Sequence, residues 1–261
     1  MTRVPPFLYG LLLLAVPFFN RTMAAPPADY TKLAQSLLYA VRTGEESAEL
    51  RAALQAAHPD SLAAALTTDG QRTAFWLNLY NAYVQYLLKT NPDRYRKRSD
   101  FFTDRQIPVA GARLSLDAIE HGILRRSRTK WSLGYIGKLF PGAFEKKFRV
   151  DHPDYRIHFA LNCGARSCPP IAYYVPEQLD RQLNLATANY LQGEALYDSA
   201  RNRVHLPAIM SWFRADFGGR KGMYPLLERW KVIPAGARPK IRFKKYDWTL
   251  FLDNYKNDTN E

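Results

Sequence analysis

The most constraining feature of the sequence is the segment Gln71–Thr90, which is apolar on nearly every helical face. A helix with this pattern has no face to turn toward solvent, so we predict that it lies at the centre of the fold. The exceptions are Asn78, Asn81 and Gln85, which helical spacing places on one polar stripe. Buried amides are costly unless they are hydrogen-bonded. The stripe therefore either holds neighbouring backbone or faces a site, where Asn78 and Asn81 would contact a substrate.

A second informative stretch, Asp154–Pro170, holds both cysteines of the chain. Residues 155–161 are aromatic, branched or apolar with polar residues at alternate places, which predicts a half-buried strand. A glycine and two prolines then predict a loop. Cys163 therefore falls where a strand ends and a loop begins, a place where scaffolds often present reactive groups. Asn162 and Arg166 flank it and are candidate substrate contacts.

A third candidate element is a helix over residues 116–126, with Ser115 as its N-cap. Asp117, Glu120 and His121 fall at spacings that place two carboxyls and an imidazole on one face. A lone histidine on a helix is usually structural, but two acids beside it favour a general-base or orienting role. We therefore expect a site where this helix, the Asn78/Asn81 helix and the Cys163 loop meet.

The remaining pattern is rich in helices and has few strands. Residues 195–197 and 204–206 predict a hairpin, and residues 239–248 predict a final strand. We predict a single α+β domain over residues 26–261, helix-rich and built around a small sheet.

The first 25 residues predict a secretion signal. Arg3 precedes an apolar run, Phe7–Phe19, and small residues follow with cleavage expected near Ala24 or Ala25. The run is shorter than the ~20 residues that span a bilayer, and no later stretch is long and apolar enough to do so. We therefore expect a periplasmic or secreted protein.

The formal net charge of +13 indicates an anionic partner. Basic residues cluster at 94–98, 125–130, 146–149 and 238–245, without a nucleic-acid-binding motif beside them. For an exported protein, lipid, lipopolysaccharide or cell-wall polymer is a more suitable partner than nucleic acid, although solvated surface charge is the simpler explanation of the clusters. No pattern in the sequence indicates a cofactor.

Three segments, 74–82, 119–125 and 158–170, together resemble the family called domain of unknown function 547, DUF547. Tyr246-Asp247-Trp248 fits the same pattern, so the resemblance covers about residues 71–253. The family has no established activity. Its order of helix and strand is similar to the core of the papain and transglutaminase-like superfamily, which implies a fold and not a function.

Three kinds of chemistry remain open at the Cys163 loop. In the first, Cys163 is the nucleophile of an acyl transferase or amide hydrolase, with His121 or His158 as its base and Glu120 or an amide orienting the imidazole. Arg166 would help to lower the pKa of the thiol, and the N–H groups of residues 164 and 165 would stabilise an oxyanion.

In the second, Cys163 and Cys168 form a disulfide, which is the default for a pair of cysteines in an exported chain. The chain would then be a binding protein, or a hydrolase that acts through His121, Glu120 and His158 on an envelope substrate. In the third, Asp117, His121, His158 and Cys163 hold zinc, although their spacing matches no compact ligand motif.

Overall fold

The computed structural model describes residues 29–256 in addition to Met1, so the predicted secretion signal lies outside the described residues. The α-helices of this part are α1 (Tyr30–Thr43), α2 (Ala48–Ala56), α3 (Pro59–Ala65), α4 (Asp69–Thr90), α5 (Arg98–Thr103), α6 (Ala143–Phe148), α7 (Leu179–Glu194), α8 (Ile209–Trp212) and α9 (Gly219–Arg229). The strands are β1 (Ile107–Val109), β2 (Ala112–Leu114), β3 (Leu196–Asp198), β4 (Arg203–Leu206) and β5 (Lys240–Phe243). A π-helical segment spans Ala118–Leu124, and 3₁₀ turns span Pro92–Lys97, Lys130–Ser132, Tyr155–Phe159 and Pro176–Gln178.

Helix α4 is the centre of the fold, as its sequence predicts. It begins with a reciprocal capping box, in which Thr68 and Gln71 each accept a hydrogen bond from the other's backbone N–H. Its side chains are buried around the whole circumference from Thr73 to Gln85. Because every face of α4 is covered by other parts of the chain, the polar side chains along it meet protein groups instead of water.

The hydrophobic interior has two parts. The larger core surrounds α4 and includes the buried leucines of α1, Leu37 and Leu38. The smaller core lies among α7, α9 and the three-stranded sheet, with Leu206 and Met223 among its members. Helices and small sheets thus form the predicted α+β fold, whereas the papain-like core remains a prediction. None of the helices in the described part is both long enough and apolar enough to cross a bilayer.

The sheets are small and separate. Strands β1 and β2 form an antiparallel ribbon. Strands β3 and β4 form the predicted antiparallel hairpin, and β5 pairs in parallel with β4 so that Val204 lies opposite Ile241. The final strand is therefore confirmed but is shorter than the sequence pattern suggests.

The strand predicted for residues 155–161 is wrong. The chain forms a 3₁₀ turn there, started by Asp154, whose carboxylate accepts a hydrogen bond from the N–H of Arg156. Ile157, His158 and Phe159 are all buried in succession, so the segment has no solvent-facing side of the kind that an alternating strand needs. Ile157 packs in the larger core and Phe159 in the smaller one, which makes this turn the junction between them.

Candidate functional site

The polar stripe of α4 holds the backbone of the Cys163 region in place. Asn78 donates to the carbonyl of Tyr174 at 2.8 Å and accepts from its N–H at 2.9 Å. Asn81 donates to the carbonyl of Ala160 at 3.0 Å and accepts from the N–H of Asn162 at 2.9 Å. Both amides are fully buried, and backbone occupies both ends of each. This arrangement favours the structural alternative over the predicted substrate contact.

Asn162 has a similar role inside the loop. Its side chain donates to the carbonyl of Pro169 at 2.8 Å and accepts from the N–H of Gly164 at 2.9 Å, which closes the loop from within. It is fully buried, so a substrate contact is not favoured for it either. Because the N–H of Gly164 is already bonded to Asn162, this group is not free to stabilise an oxyanion.

Gly164 lets the loop pass close to α4. Its φ is +85°, and a Cβ at this position would lie 2.7 Å from Cδ1 of Leu88. Only glycine combines that conformation with so close an approach. This bend brings the loop that carries Cys163 close to α4.

The two cysteines are free thiols that lie beside each other. The hydroxyl of Tyr246 is 3.2 Å from Sγ of Cys163 and 3.1 Å from Sγ of Cys168. The N–H of Cys163 also donates to Sγ of Cys168 at 3.0 Å. Cys163 is half-buried and Cys168 is buried, so Cys163 is the more accessible thiol. A disulfide between them remains a prediction.

The same contacts separate the acidities of the two thiols. Hydrogen bonding from Cys168, followed by that from Tyr246, lowers the pKa of Cys163. Burial raises the pKa of Cys168 well above its ordinary value. Cys163 is therefore the first of the two cysteines to lose its proton, and a hydrogen bond from the Cys168 thiol stabilises the resulting thiolate. The predicted help from Arg166 is not supported, because its side chain is more than half exposed and contacts Asp247 and Phe251.

The π-helical segment carries the acidic and imidazole groups of the site. The N–H of Arg125 bonds to the carbonyl of Glu120, five residues earlier, and Ser115 caps the start of the segment as predicted. Nε2 of His121 lies 3.6 Å from Oδ1 of Asp117, and Nδ1 lies 3.8 Å from Oε1 of Glu120. The predicted grouping of these three side chains is therefore present.

Burial sets the protonation of these groups. It raises the pKa of Glu120 to about 8, so the carboxyl is largely neutral at pH 7. Burial lowers the pKa of His121 well below its ordinary range, and the positive charge of Arg125 is the next largest cause of this shift. Arg125 Nη1 donates to Nδ1 of His121 at 3.0 Å, which leaves the proton of the neutral imidazole on Nε2. Glu120 and His121 thus each present a proton at neutral pH.

Both histidines belong to one chain of hydrogen bonds. Arg125, whose side chain is 1% exposed, donates from Nε to Oδ2 of Asp216 at 2.6 Å and from Nη2 to Oδ1 at 3.2 Å. His158 donates from Nε2 to Oδ2 of Asp216 at 2.8 Å and stacks on the ring of Phe213. Burial alone would raise the pKa of Asp216, but hydrogen bonds from His158 and Arg125 lower it to about 2. The chain of contacts runs from His158 through Asp216 and Arg125 to His121.

These groups meet in a cavity of about 440 Å³, which we call the Cys163 cavity. Glu120, His121, His158 and Cys163 all line it, as does Tyr80 of α4, so the three predicted elements meet. Its other walls are mainly aromatic and come from Phe102, Trp131, Trp212, Phe213, Tyr246 and Trp248. Among the residues that the structure describes, no hydrogen bond joins Cys163 to either imidazole. The hydrogen bond of the Cys163 thiol is with the phenol of Tyr246, and its pairing with an imidazole stays a prediction.

Sequence reasoning misses three members of this site. Asp216 stands 91 residues from Arg125, and no local pattern marks it as the partner of that arginine. Tyr246 belongs to the Tyr-Asp-Trp motif, but its contact with both sulfurs depends on the fold of the C-terminal segment. Arg125 follows His121 by four residues, and this spacing is the one signal that the sequence offers.

A metal centre finds no support in this geometry. Asp117, His121, His158 and Cys163 line one cavity, yet the described residues include no cluster of three or more His, Cys, Asp or Glu side chains placed to hold a metal ion. Nε2 of His158 bonds to Asp216, and Nδ1 of His121 bonds to Arg125. One nitrogen of each imidazole is thus already used by a protein partner.

Comparison with known proteins identifies the family. A search of curated proteins and a search of solved structures each found no match. The family model described as "Protein of unknown function, DUF547" matches residues 64–191. This match includes the polar stripe of α4, the π-helical segment and the Cys163 loop, but it does not include Tyr246. The chain belongs to the DUF547 family.

Proposed function

We propose that the Cys163 cavity is the active site of a thiol-dependent hydrolase or acyl transferase that breaks an amide or ester bond. The observation that carries this proposal is the presence of the accessible Cys163 thiol, the Glu120 carboxyl and the His121 imidazole in one cavity of about 440 Å³. A cavity of this size is typical of small-molecule sites.

The first chemical step is attack by the Cys163 thiolate on the acyl carbon of the substrate. A new C–S bond forms, and the carbon–nitrogen or carbon–oxygen bond to the leaving group breaks. The departing group takes the proton of the neutral Glu120 carboxyl, which leaves a carboxylate. The lowered pKa of Cys163 increases the fraction of thiolate without a histidine base, which fits the absence of a hydrogen bond between Cys163 and an imidazole in the described residues.

The second step returns the enzyme to its starting state. The Glu120 carboxylate takes a proton from water, or from an acceptor hydroxyl or amine, as that group attacks the thioester. The C–S bond breaks, the thiolate leaves, and Glu120 is again neutral. The Nε2–H of His121 is available to donate to the carbonyl oxygen, because its Nδ1 is held by Arg125.

The location of the substrate follows from a separate prediction. The predicted secretion signal and the basic surface favour an envelope component as the acyl donor. The aromatic walls of the cavity suit a donor with an apolar portion beside the bond to be broken.

The test uses p-nitrophenyl acetate and p-nitrophenyl butyrate as acyl donors for the full chain. We expect a burst of one nitrophenolate per protein molecule and an acyl group on Cys163, located by peptide mass spectrometry. Cys163→Ala should lose both. Cys168→Ala should keep both but should shift the rate to higher pH, because it removes the strongest support of the thiolate.

Two results would contradict the proposal. One is a burst that persists in Cys163→Ala. The other is a Cys163–Cys168 disulfide in protein alkylated without reduction, because that bond removes the nucleophile and makes the cavity a binding site with a stapled wall.

A further inference from the structure

A surface loop beside the Cys163 cavity exposes an unusual amount of apolar surface. We call residues 131–140 the Trp131 loop. Trp131 is 76% exposed, Leu139 87% and Phe140 93%. The large apolar side chains exposed in this loop are Trp131, Leu133, Tyr135, Ile136, Leu139 and Phe140. Single exposed apolar residues are normal on soluble proteins, but a contiguous group of this kind marks an interaction surface.

The backbone of the Trp131 loop is held by hydrogen bonds, although its apolar side chains are exposed. The N–H of Thr129 donates to the carbonyl of Ile136 at 2.9 Å, and Arg128 pairs with Gly137 in an antiparallel bridge. The carbonyl of Leu133 accepts from the N–H of Ala215 at 3.0 Å. These bonds fix the backbone between residues 128 and 137, and the N–H of Lys138 donates to the carbonyl of Ser127 at 2.6 Å, directly before the exposed Leu139 and Phe140.

The base of the loop rests on the ion pair behind the cavity. Gly134 has a φ of +87°, and a Cβ there would lie 2.6 Å from both Nη2 of Arg125 and Oδ1 of Asp216. Trp131 and Leu133 also line the Cys163 cavity. The position of the loop is therefore fixed relative to the mouth of the cavity.

Cationic residues flank the Trp131 loop in the sequence. Between residues 126 and 149 the sequence holds seven Lys or Arg residues and a single acidic residue, Glu145. Lys138 pairs with Glu145, and Lys130 pairs with Asp117. Lys147 pairs with Asp60. In the described part of the chain, Arg126, Arg128 and Lys146 have no ion-pair partner.

We propose that the Trp131 loop docks the protein on the surface of an anionic lipid membrane. Trp and Tyr favour the boundary between head groups and acyl chains, Leu, Ile and Phe insert below it, and Lys and Arg attract anionic lipid. A protein partner fits less well, because protein interfaces are depleted in Lys. Docking brings the mouth of the Cys163 cavity to the bilayer surface, a consequence that depends on the position of the loop and not on the proposed chemistry.

The test measures binding of the full chain to vesicles of phosphatidylglycerol and phosphatidylcholine in equal amounts, with pure phosphatidylcholine for comparison. We expect Leu139→Glu to weaken binding to the anionic vesicles by about tenfold, the usual effect of losing one inserted apolar side chain. Leu196→Glu is the matched control, since Leu196 is 64% exposed on β3, outside the loop. It should bind as the wild type does, and added salt should weaken binding of all three proteins.

A second readout separates loop insertion from binding by the apolar run at residues 7–19, which all variants share. With lipids brominated in their acyl chains, tryptophan fluorescence of the wild type should be quenched, and Trp131→Phe should lose most of that quenching. Equal quenching in both proteins would overturn the proposal. So would equal binding of Leu139→Glu and Leu196→Glu, or a dimer that Leu139→Glu dissociates while vesicle binding is unchanged. Because no readout depends on turnover, failure of the proposed enzyme activity leaves this test intact.

Discussion

The Cys163 loop separates two cavities that differ in size and in chemistry. Cys163 and Pro169 line the Cys163 cavity, whereas Cys168 and Pro170 line a groove of about 620 Å³ between α7 and the C-terminal segment, which we call the α7 groove. The groove is the larger of the two, yet it has none of the perturbed carboxyl or imidazole groups found in the smaller cavity.

The two cavities differ in the hydrogen bonding and the solvent exposure of their polar groups. In the α7 groove, Gln182 is bonded at both ends to backbone, and Arg166 lies exposed over the ring of Phe251. In the Cys163 cavity, the side chains of Glu120 and His121 are largely withdrawn from solvent, and this burial moves their pKa values toward the neutral forms. The volume of a cavity is therefore a poor guide to its chemistry, and desolvation of titratable groups is a better one.

The sharpest test of this contrast is Asp216→Asn. The substitution leaves the buried Arg125 without a counter-charge, which should lower the free energy of unfolding by about 3–5 kcal/mol. The matched control is Glu194→Gln in the α7 groove, which breaks the half-exposed pair with Lys244 and should cost less than about 1 kcal/mol. Urea unfolding measures both. Similar losses of unfolding free energy in the two variants would show that the ion pair behind the Cys163 cavity is no more important for stability than the one in the α7 groove.

A smaller effect is expected from Asn81→Ala. This change leaves the buried carbonyl of Ala160 and the N–H of Asn162 without partners, so we expect a loss of about 2–3 kcal/mol in urea unfolding. Asn189→Ala, at an exposed amide of the α7 groove, should change stability by less than about 0.5 kcal/mol. If Asn81→Ala loses no more unfolding free energy than Asn189→Ala does, the polar stripe of α4 does not hold the Cys163 loop in place.

Features of the fold and the site that depend on local patterns are predictable from sequence. The central position of α4 is predictable because its apolar pattern leaves no face for solvent. The polar stripe of Asn78 and Asn81 is also visible, but the choice between its two alternatives depends on which backbone folds against α4. Helical spacing alone is enough to group Asp117, Glu120 and His121, because their contacts lie within a single turn of the chain.

The features that escape sequence reasoning are tertiary. The pairing of Arg125 with Asp216 and the contact of Tyr246 with both cysteines join distant parts of the chain. The strand predicted at 155–161 fails for a related reason, since the pattern resembles alternation but residues 157–161 are all buried. An alternating pattern indicates a strand only where one side meets solvent.

The pH dependence of stability gives the finest test of the buried carboxyl. The pKa of Glu120 is about 8 in the folded protein against an ordinary value of 4.5, so between these values the folded chain holds a proton that the unfolded chain has released. The free energy of unfolding must then fall as pH rises through this window. Glu120→Gln cannot release that proton, so its stability relative to wild type should grow by about 1 kcal/mol for each pH unit from about pH 5 to about pH 8.

Urea unfolding of wild type and Glu120→Gln across this range measures the difference directly. Glu177→Gln, the same substitution at an exposed residue beside α7, controls for the change in net charge and should follow the wild-type profile. If the Glu120→Gln and wild-type profiles run parallel, Glu120 is ionised throughout the range and cannot be the proton donor that distinguishes the Cys163 cavity from the α7 groove. A widening gap would instead show that the cavity keeps a neutral carboxyl at the expense of stability at high pH, the arrangement that an acid catalyst working near neutral pH requires.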